Sequence, residues 1–580
     1  MSGGGVPSAP RRSSRAFVAL VVNAALVGIL VVSALSGGRA AETARPSQST
    51  TSAPRADGQV SVGAPPPVGR MPITYAEAEA QGVVDRFDWG DRCDRERGTV
   101  KIVSVRAAPC VPVFDGDNGG ATHRGVSREA IRVVVYMGGA QGDLNTALAG
   151  LGLQDPPEAV VETIRRYFEV FSSVYETYGR RFEVVSFVGS GAADDSVASR
   201  ADAVEIAEDV GAFAVIGGPA LDRGAFASEL AAREVLCIGC GVALPDTFIR
   251  RHEPYIWGPN PTPEQFLFTL SRWMDRLMER DRRAAYAGSQ ELRQSERRFG
   301  VVHFEQDPPV FSETASDVLE MFSRKVDVVI PYLLDLPTLP EKATEIVARL
   351  KAEGVTSVIF MGDPLMPAQL MAAATRMEYF PEWIFTGTAL TDTNVFGRGW
   401  DPRQMRHAFG LSNLAVPLAS EEQSEAWRLY EWFFGEGSAP PARNQYPIHL
   451  NGPALISLGV HMAGPDLTPQ TFARGLFRVP PSGGGPTVPQ VSFGRWGFFE
   501  ETDYLGIDDS TEIWWDPEAV GEDEIGRMGK GMWRRSRGGA RFTSRDVPEP
   551  RVFEREGSVT VLAEAPPSDR AMRYPIPGRS

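Results

Sequence analysis

From residue 131 onward the chain alternates short apolar runs with amphipathic stretches, and it does so twice over, which leaves few folds open to it. The first apolar run is 131–136 (IRVVVY), followed by a helical pattern over 159–178. A second run at 182–188 leads to a helical pattern over 196–210. A third run at 212–216 enters Gly217-Gly218-Pro219, and a helical stretch over 226–233 leads to a fourth run at 235–238. Strands separated by helices predict βαβ units and a parallel sheet. Near-continuous apolar strands such as FAVIGG predict burial on both faces. Residues 255–257 end this unit and a long amphipathic helix spans 263–282. The pattern then restarts at 299–304 (FGVVHF), with further strands at 326–331, 357–361 and 383–385 and helices at 312–322, 341–352 and 368–376. Helical patterns at 421–434 and 453–462 are expected to carry the chain back to the first unit. The fold class is therefore α/β, with two similar lobes joined by more than one crossing.

With 580 residues, of which 43% are hydrophobic, the chain is long enough for two cores and too apolar for a disordered body. Its formal charge of −15 argues against nucleic acid, whose phosphates call for clustered Lys and Arg. At the N-terminus Arg11, Arg12 and Arg15 precede an apolar run over 16–35, interrupted only by Asn23 and Ser33. A helix of that length just spans a hydrocarbon core, and the arginines keep its start in the cytoplasm, so the body faces out. The run reads as a signal anchor. A cleaved signal peptide, with Gly38-Arg39-Ala40 as the small-residue site, is the rival reading. Residues 1–15 form the basic n-region, 16–35 the apolar segment and 36–70 a Ser/Thr/Pro-rich linker. Then follow a lead-in over 71–130, lobe 1 over 131–262, lobe 2 over 263–420, return elements over 421–515 and a C-terminal tail over 516–580. The tail carries Arg534, Arg535, Arg537 and Arg541 among glycines. It reads as peripheral and extended, or as a basic patch that docks a partner.

Several segments together carry a family resemblance: the CDRERGTVKIVSVRAAPC lead-in, IRVVVY, AVIGGPA after the third strand, FGVVHFEQD, VTSVIFMGDP and WIFTGTALTD. In these and in the order of its elements, from about residue 75 to 545, the chain resembles the type I periplasmic-binding-protein family. Within it, the chain is similar to the substrate-binding components of branched-chain amino acid ABC transporters of the actinobacterial type. The resemblance implies two Rossmann-like lobes around a central ligand cleft, with a three-stranded hinge and closure on a small molecule. It also implies an ABC permease as partner and an extracytoplasmic location at the cell surface, held by the N-terminal helix or free if that helix is cleaved.

General physics points to the same place, because ligands of open parallel sheets sit beyond the carboxyl ends of the strands, where helix N-termini favour anions. The candidate loops contain Gly138, Gly139 and Gln141 after strand one, Gly218, Pro219 and Ala220 after strand three, and Thr247 just beyond the loop after strand four. In lobe 2 they contain Phe304, Asp307, Asp363 and Thr388. Asp307 or Asp363 could meet an ammonium group and Phe304 could pack on its stem, with helix capping as the rival role for each Asp. Amino-acid binders of this family place Ser or Thr in the loop after strand three. Ala220 and Leu221 stand there in this chain, which favours a small ligand in general over an amino acid.

Four cysteines in an exported chain suit two disulfides. Cys93 and Cys110 bracket a small loop or hairpin that a disulfide would staple to the lobe edge. Cys237 and Cys240 form a CxxC at a strand end. A short local disulfide is the reading there, against two free buried thiols, because a thioredoxin-type site needs its first cysteine at a helix N-terminus. The six histidines show no metal spacing, and the EF-hand count from Asp115 fails at Val126, where a Glu is required. No G-x-S-x-G, P-loop or HExxH occurs. The expectation is thus a binder of a small polar solute (an amino acid, amide or short organic acid) with no cofactor and no metal, rather than an enzyme. A membrane-tethered sensor or interaction protein of the same fold is the alternative, favoured by an uncleaved helix and the arginine-rich tail.

Overall fold

The computed structural model describes residues 71–138, 155–219, 222–241, 244–305, 326–335, 337–444 and 446–576. The apolar segment 16–35, the linker, Gly139, Gln141, Ala220, Asp307 and the expected helix 312–322 lie outside the described residues.

The lead-in opens with a two-stranded antiparallel ribbon, β1 (Cys93–Asp94) and β2 (Thr99–Val100). Cys93 is bridged to Cys110, with Cα atoms 5.6 Å apart. The expected hairpin and its staple are therefore present.

Lobe 1 is a five-stranded parallel sheet of β3 (Ala130–Met137), β4 (Arg181–Val188), β5 (Ala214–Ile216), β6 (Leu236–Ile238) and β7 (Ile256–Trp257), in the order β4-β3-β5-β6-β7. Central β3 is buried along most of its length, whereas edge strand β4 alternates between half-buried and exposed residues. That is why IRVVVY reads as continuous and RFEVVSFV as mixed. Lobe 2 repeats the order. Its strands are β8 (Phe299–Glu305), β9 (Val326–Leu333), β10 (Ser357–Met361), β11 (Glu382–Phe385) and β12 (Ala408–Ser412), arranged β9-β8-β10-β11-β12 and all parallel.

The sheet of lobe 2 then continues antiparallel through β13 (Asp509–Glu522) and β14 (Met528–Arg535), with β15 (Arg541–Thr543) also paired to β13. The segment read from sequence as a peripheral tail from residue 516 is, to residue 543, part of this sheet. Two of its arginines are met by carboxylates of a neighbouring strand. Arg541 pairs with Asp509 at 2.8 Å with both side chains almost fully buried, and Arg534 pairs with Asp516 at 2.6 Å. Trp533 faces Trp515 across the strands and is fully buried. An arginine can enter a core where a carboxylate meets its charge in this way.

The chain passes between the sheets three times, over 258–262, 413–424 and 477–508. The first crossing leads into the helix Pro263–Arg280. It opens on a capping box of Thr262 and Gln265 with Pro at the first helical position, and it buries Phe266, Leu270, Trp273, Met274 and Leu277 on one stripe. The second crossing delivers the helices Glu425–Phe434, Tyr446–Ala463 and Pro469–Leu476 back to lobe 1. There Leu455, Ile456, Val460, Phe472 and Leu476 join the core of β3, β5 and β6. First and third crossings run side by side, bridged at Gly258 and Leu505. At that junction two buried carboxyls, Asp503 and Asp508, are held by Gln265 and by Ser492 and Gln490 respectively. Burial raises both well above the ordinary carboxylate range, with the charge of Asp246 adding to it at Asp503 and that of Asp503 at Asp508.

Candidate functional site

Every parallel strand of lobe 1 is followed at once by glycine: Gly138, Gly189, Gly217, Gly239 and Gly258. Two of these positions demand it. Gly217 has φ +79° and Gly239 has φ +66°, a region costly for other residues. With no side chains there, the strand ends leave a floor for a cavity of about 510 Å³, lined by Gly138, Gly217, Gly239 and Gly258. This is the end of the sheet at which open parallel folds hold ligands.

One wall is the helix Pro157–Ser172, which presents Val160, Ile164 and Phe171. The roof is the helix Tyr446–Ala463, with Tyr446, Leu450, Ala454 and Leu458 at four-residue spacing along one face. This helix approaches β5 closely, since a side-chain carbon at Gly452 would stand 2.8 Å from Ile216. Pro453, inside the helix, has no N–H to give to the carbonyl of His449 one turn earlier. The remaining wall comes from the helix Glu425–Phe434, from Ser104 and Arg106 of the lead-in, and from the crossings at Asn413–Val416 and Val488–Phe493.

The polar groups of this largely apolar chamber differ in how far their bonding is satisfied. Burial works against the charge of Glu425, but the Arg106 guanidinium, together with hydrogen bonds from Ser104 and Arg106, holds its carboxyl below the ordinary range. Asp155 accepts from the backbone N–H groups of Arg443 and Asn444, both at 2.9 Å. Glu421 has its carboxyl raised by burial, opposed by the charge of Arg443. Arg428 donates one Nη1 bond to the Gln423 carbonyl at 2.7 Å, while its Nε has no partner among the described residues. His449 is pushed down to about 4 by burial, so its ring is neutral at pH 7, and its Nε2 also has no partner among the described residues. The backbone floor offers little to an anion. The N–H of Gly217 donates to Ile238 at 3.0 Å, that of Gly239 to Trp257 at 2.7 Å, and that of Gly258 to Tyr504 at 3.4 Å.

Of the described sequence candidates, Gly138 lines this cavity and the others stand elsewhere. Gly218 sits against the Cys240 carbonyl, where a Cβ would come within 2.6 Å, and Pro219 next to it is buried. Thr247 is exposed on the short helix Asp246–Arg251. Cys237 and Cys240 are buried with Cα atoms 5.6 Å apart. In lobe 2, Phe304 is buried edge-on to Tyr332, with ring centroids 6.2 Å apart. Asp363 is fully buried. It accepts from the Tyr332 hydroxyl and from the N–H groups of Leu365 and Met366 at 2.8 and 3.0 Å, the helix-start role that rivals ligand contact. The Thr388 hydroxyl meets that of Thr386 at 2.9 Å. Sequence reading missed Arg106, Arg428 and His449. No local signal marks them, because each lies outside the strand-end loops and comes to the cavity by long-range folding.

No family model matches the chain, and no curated protein matches it. Similar solved structures include an ABC transporter solute-binding protein of R. palustris in complex with 4-hydroxybenzoate. It has 15% identity and a TM-score of 0.46, covering 73% of this chain and 98% of that one. A branched-chain amino acid transporter substrate-binding protein of Streptococcus pneumoniae in complex with isoleucine has 10% identity and a TM-score of 0.42, covering 70% and 100%. A fatty acid ABC transporter substrate-binding protein of Thermomonospora curvata has 13% identity and a TM-score of 0.45, covering 75% and 99%.

Proposed function

We propose that the chain is an extracytoplasmic solute-binding protein that takes a small molecule into the cavity at the strand ends of lobe 1 and presents it to an ABC-type permease. The observation that carries this reading is the cavity itself. Its volume of about 510 Å³ suits a small organic ligand. Its floor belongs to one sheet and its roof to helices that arrive after the chain has passed through the other lobe, so the crossings form part of its wall. The sequence resemblance supports the same reading. On this view the crossings over 258–262, 413–424 and 477–508 act as the hinge, Cys237 and Cys240 form a disulfide that shapes the loop beyond β6, and residues 16–35 anchor the protein or export it. Among the described residues no helix is long and apolar enough to cross a membrane. The sensor alternative loses one of its two supports, because Arg534 and Arg541 are engaged by carboxylates inside lobe 2.

Thermal unfolding of the full chain against a panel of amino acids, amides, sugars and organic acids tests the reading. A binder present at 100 times its Kd raises stability by about 2.7 kcal/mol. Leu455→Trp, which fills the cavity wall, should abolish the shift. A panel without any stabilising member, or a stabilising ligand indifferent to that substitution, would overturn the assignment. Intact mass of the mature protein decides whether the N-terminal segment is retained.

A further inference from the structure

We propose that the solute is an organic monocarboxylate with an apolar body, its carboxylate held by the guanidinium of Arg428 and its body lying along the apolar helix faces. The inference rests on the reading of the cavity as a solute site and names the ligand class for it.

At Gly217, Gly239 and Gly258 the N–H groups are already used, by neighbouring strands and by the third crossing. Arg106 is engaged by Glu425, an ion pair that is neutral as a unit. Arg428 lies in the field of Glu425 and Asp569, and its Nε has no partner among the described residues, on a side chain that cannot give up its proton. A planar guanidinium with donors to spare matches a carboxylate in geometry and charge. His449 stands in the same lining, on a helix packed against that of Arg428, and its Nε2 is likewise unpartnered among the described residues. As a neutral ring it adds a hydrogen bond without a second charge, which suits one carboxylate rather than a phosphate or dicarboxylate. The acids of the lining are poor partners for an ammonium group: Glu425 is paired with Arg106, Asp155 is held by backbone donors, and burial works against the charge of Glu421. Most of the remaining surface is apolar, with Val160, Ile164, Leu450, Leu455 and Leu458 among it, and suits the body of such a ligand.

The test is titration calorimetry on the full chain with matched series: hexanoate, hexanamide and hexylamine; benzoate, benzamide and benzylamine; 4-methylpentanoate and leucine. The expected result is binding of the carboxylates, with each amide weaker by about 10- to 100-fold, the loss of one charged hydrogen bond, and no binding of the amines. Arg428→Gln should remove the preference of acid over amide, and Arg428→Lys should keep part of it. Unfolding curves of both variants without ligand show whether either has lost its fold, and the wild-type series stands without them. Amides or amines that bind as well as the acids, or leucine binding where 4-methylpentanoate does not, would overturn the ligand class while leaving the solute-binding reading in place. Failure of these series together with the broader panel would overturn both.

Discussion

Glu382 and Arg297 form an ion pair with both side chains fully buried beneath lobe 2, and the two partners should respond very differently to removal. The carboxylate of Glu382 accepts from Arg297 Nε at 2.8 Å and Nη2 at 3.0 Å, from the Tyr286 N–H at 3.0 Å and from the Ser357 hydroxyl at 2.6 Å. Arg297 in turn donates to the carbonyl of Asp281, just past the helix Pro263–Arg280, so the pair ties that helix to the starts of β10 and β11. Replacing Glu382 by Leu strands a guanidinium that cannot neutralise itself, and leaves the Tyr286 N–H and the Ser357 hydroxyl without their acceptor. The expected loss is about 3–5 kcal/mol, a large part of an ordinary domain stability of about 5–15 kcal/mol. Replacing Arg297 by Met leaves a carboxyl that still has two donors, the Tyr286 N–H and the Ser357 hydroxyl, so that variant should lose less. Urea unfolding followed by tryptophan fluorescence at pH 5 reads both losses. A loss below about 1 kcal/mol for Glu382→Leu, the scale of an exposed pair, would refute the reasoning. So would an Arg297→Met variant that is the less stable of the two at pH 5.

The remaining predictions use the same assay. Asp503 and Asp508 have raised folded pKa values, so their contribution to stability should fall as pH climbs above about 4. Asp508→Asn should lower that slope by up to about 1.4 kcal/mol per pH unit, and an unchanged slope between pH 5 and 9 would refute the assignment. Opening Cys93–Cys110, which are 17 residues apart, by Cys→Ala substitution should cost about 3 kcal/mol in the chain-entropy account, read as a lower urea midpoint. Gly239→Ala should cost about 1–2 kcal/mol from left-handed backbone alone, because nothing lies within 4 Å of the added carbon. A neutral outcome there would show that the loop relaxes freely.

The parallel core strands were readable because burial on both faces leaves a continuous apolar run, as in β3 and β8. Strand β12 (AFGLS) was missed, being short and interrupted by Gly410, whose added carbon would stand 2.0 Å from the Phe385 carbonyl oxygen. The antiparallel addition of β13 to β15 was missed because its strands carry Arg, Asp and Gly. The pairing of Arg541 with Asp509 makes their burial tolerable only once the strands are side by side. At the site, glycine after each strand of lobe 1 was visible in the letters, and Gly138 was singled out from them. The lobe 2 candidates Phe304 and Asp363 sit at strand ends as expected, yet their side chains serve the lobe itself.

What the amino-acid sequence determined alone is therefore local and periodic: the alternating strands and helices, the glycines that end the strands, and the short loop closed by Cys93 and Cys110. These follow from neighbours within a few turns, whose spacing sets which face is apolar. What only the tertiary structure decided is the chamber and its polar groups. Arg428 and His449 lie more than two hundred residues beyond the first strand, and periodicity specifies the apolar face of their helices but not the sheet that face will cover. That choice is made by the chain crossing between the lobes, and with it the chemistry of the site.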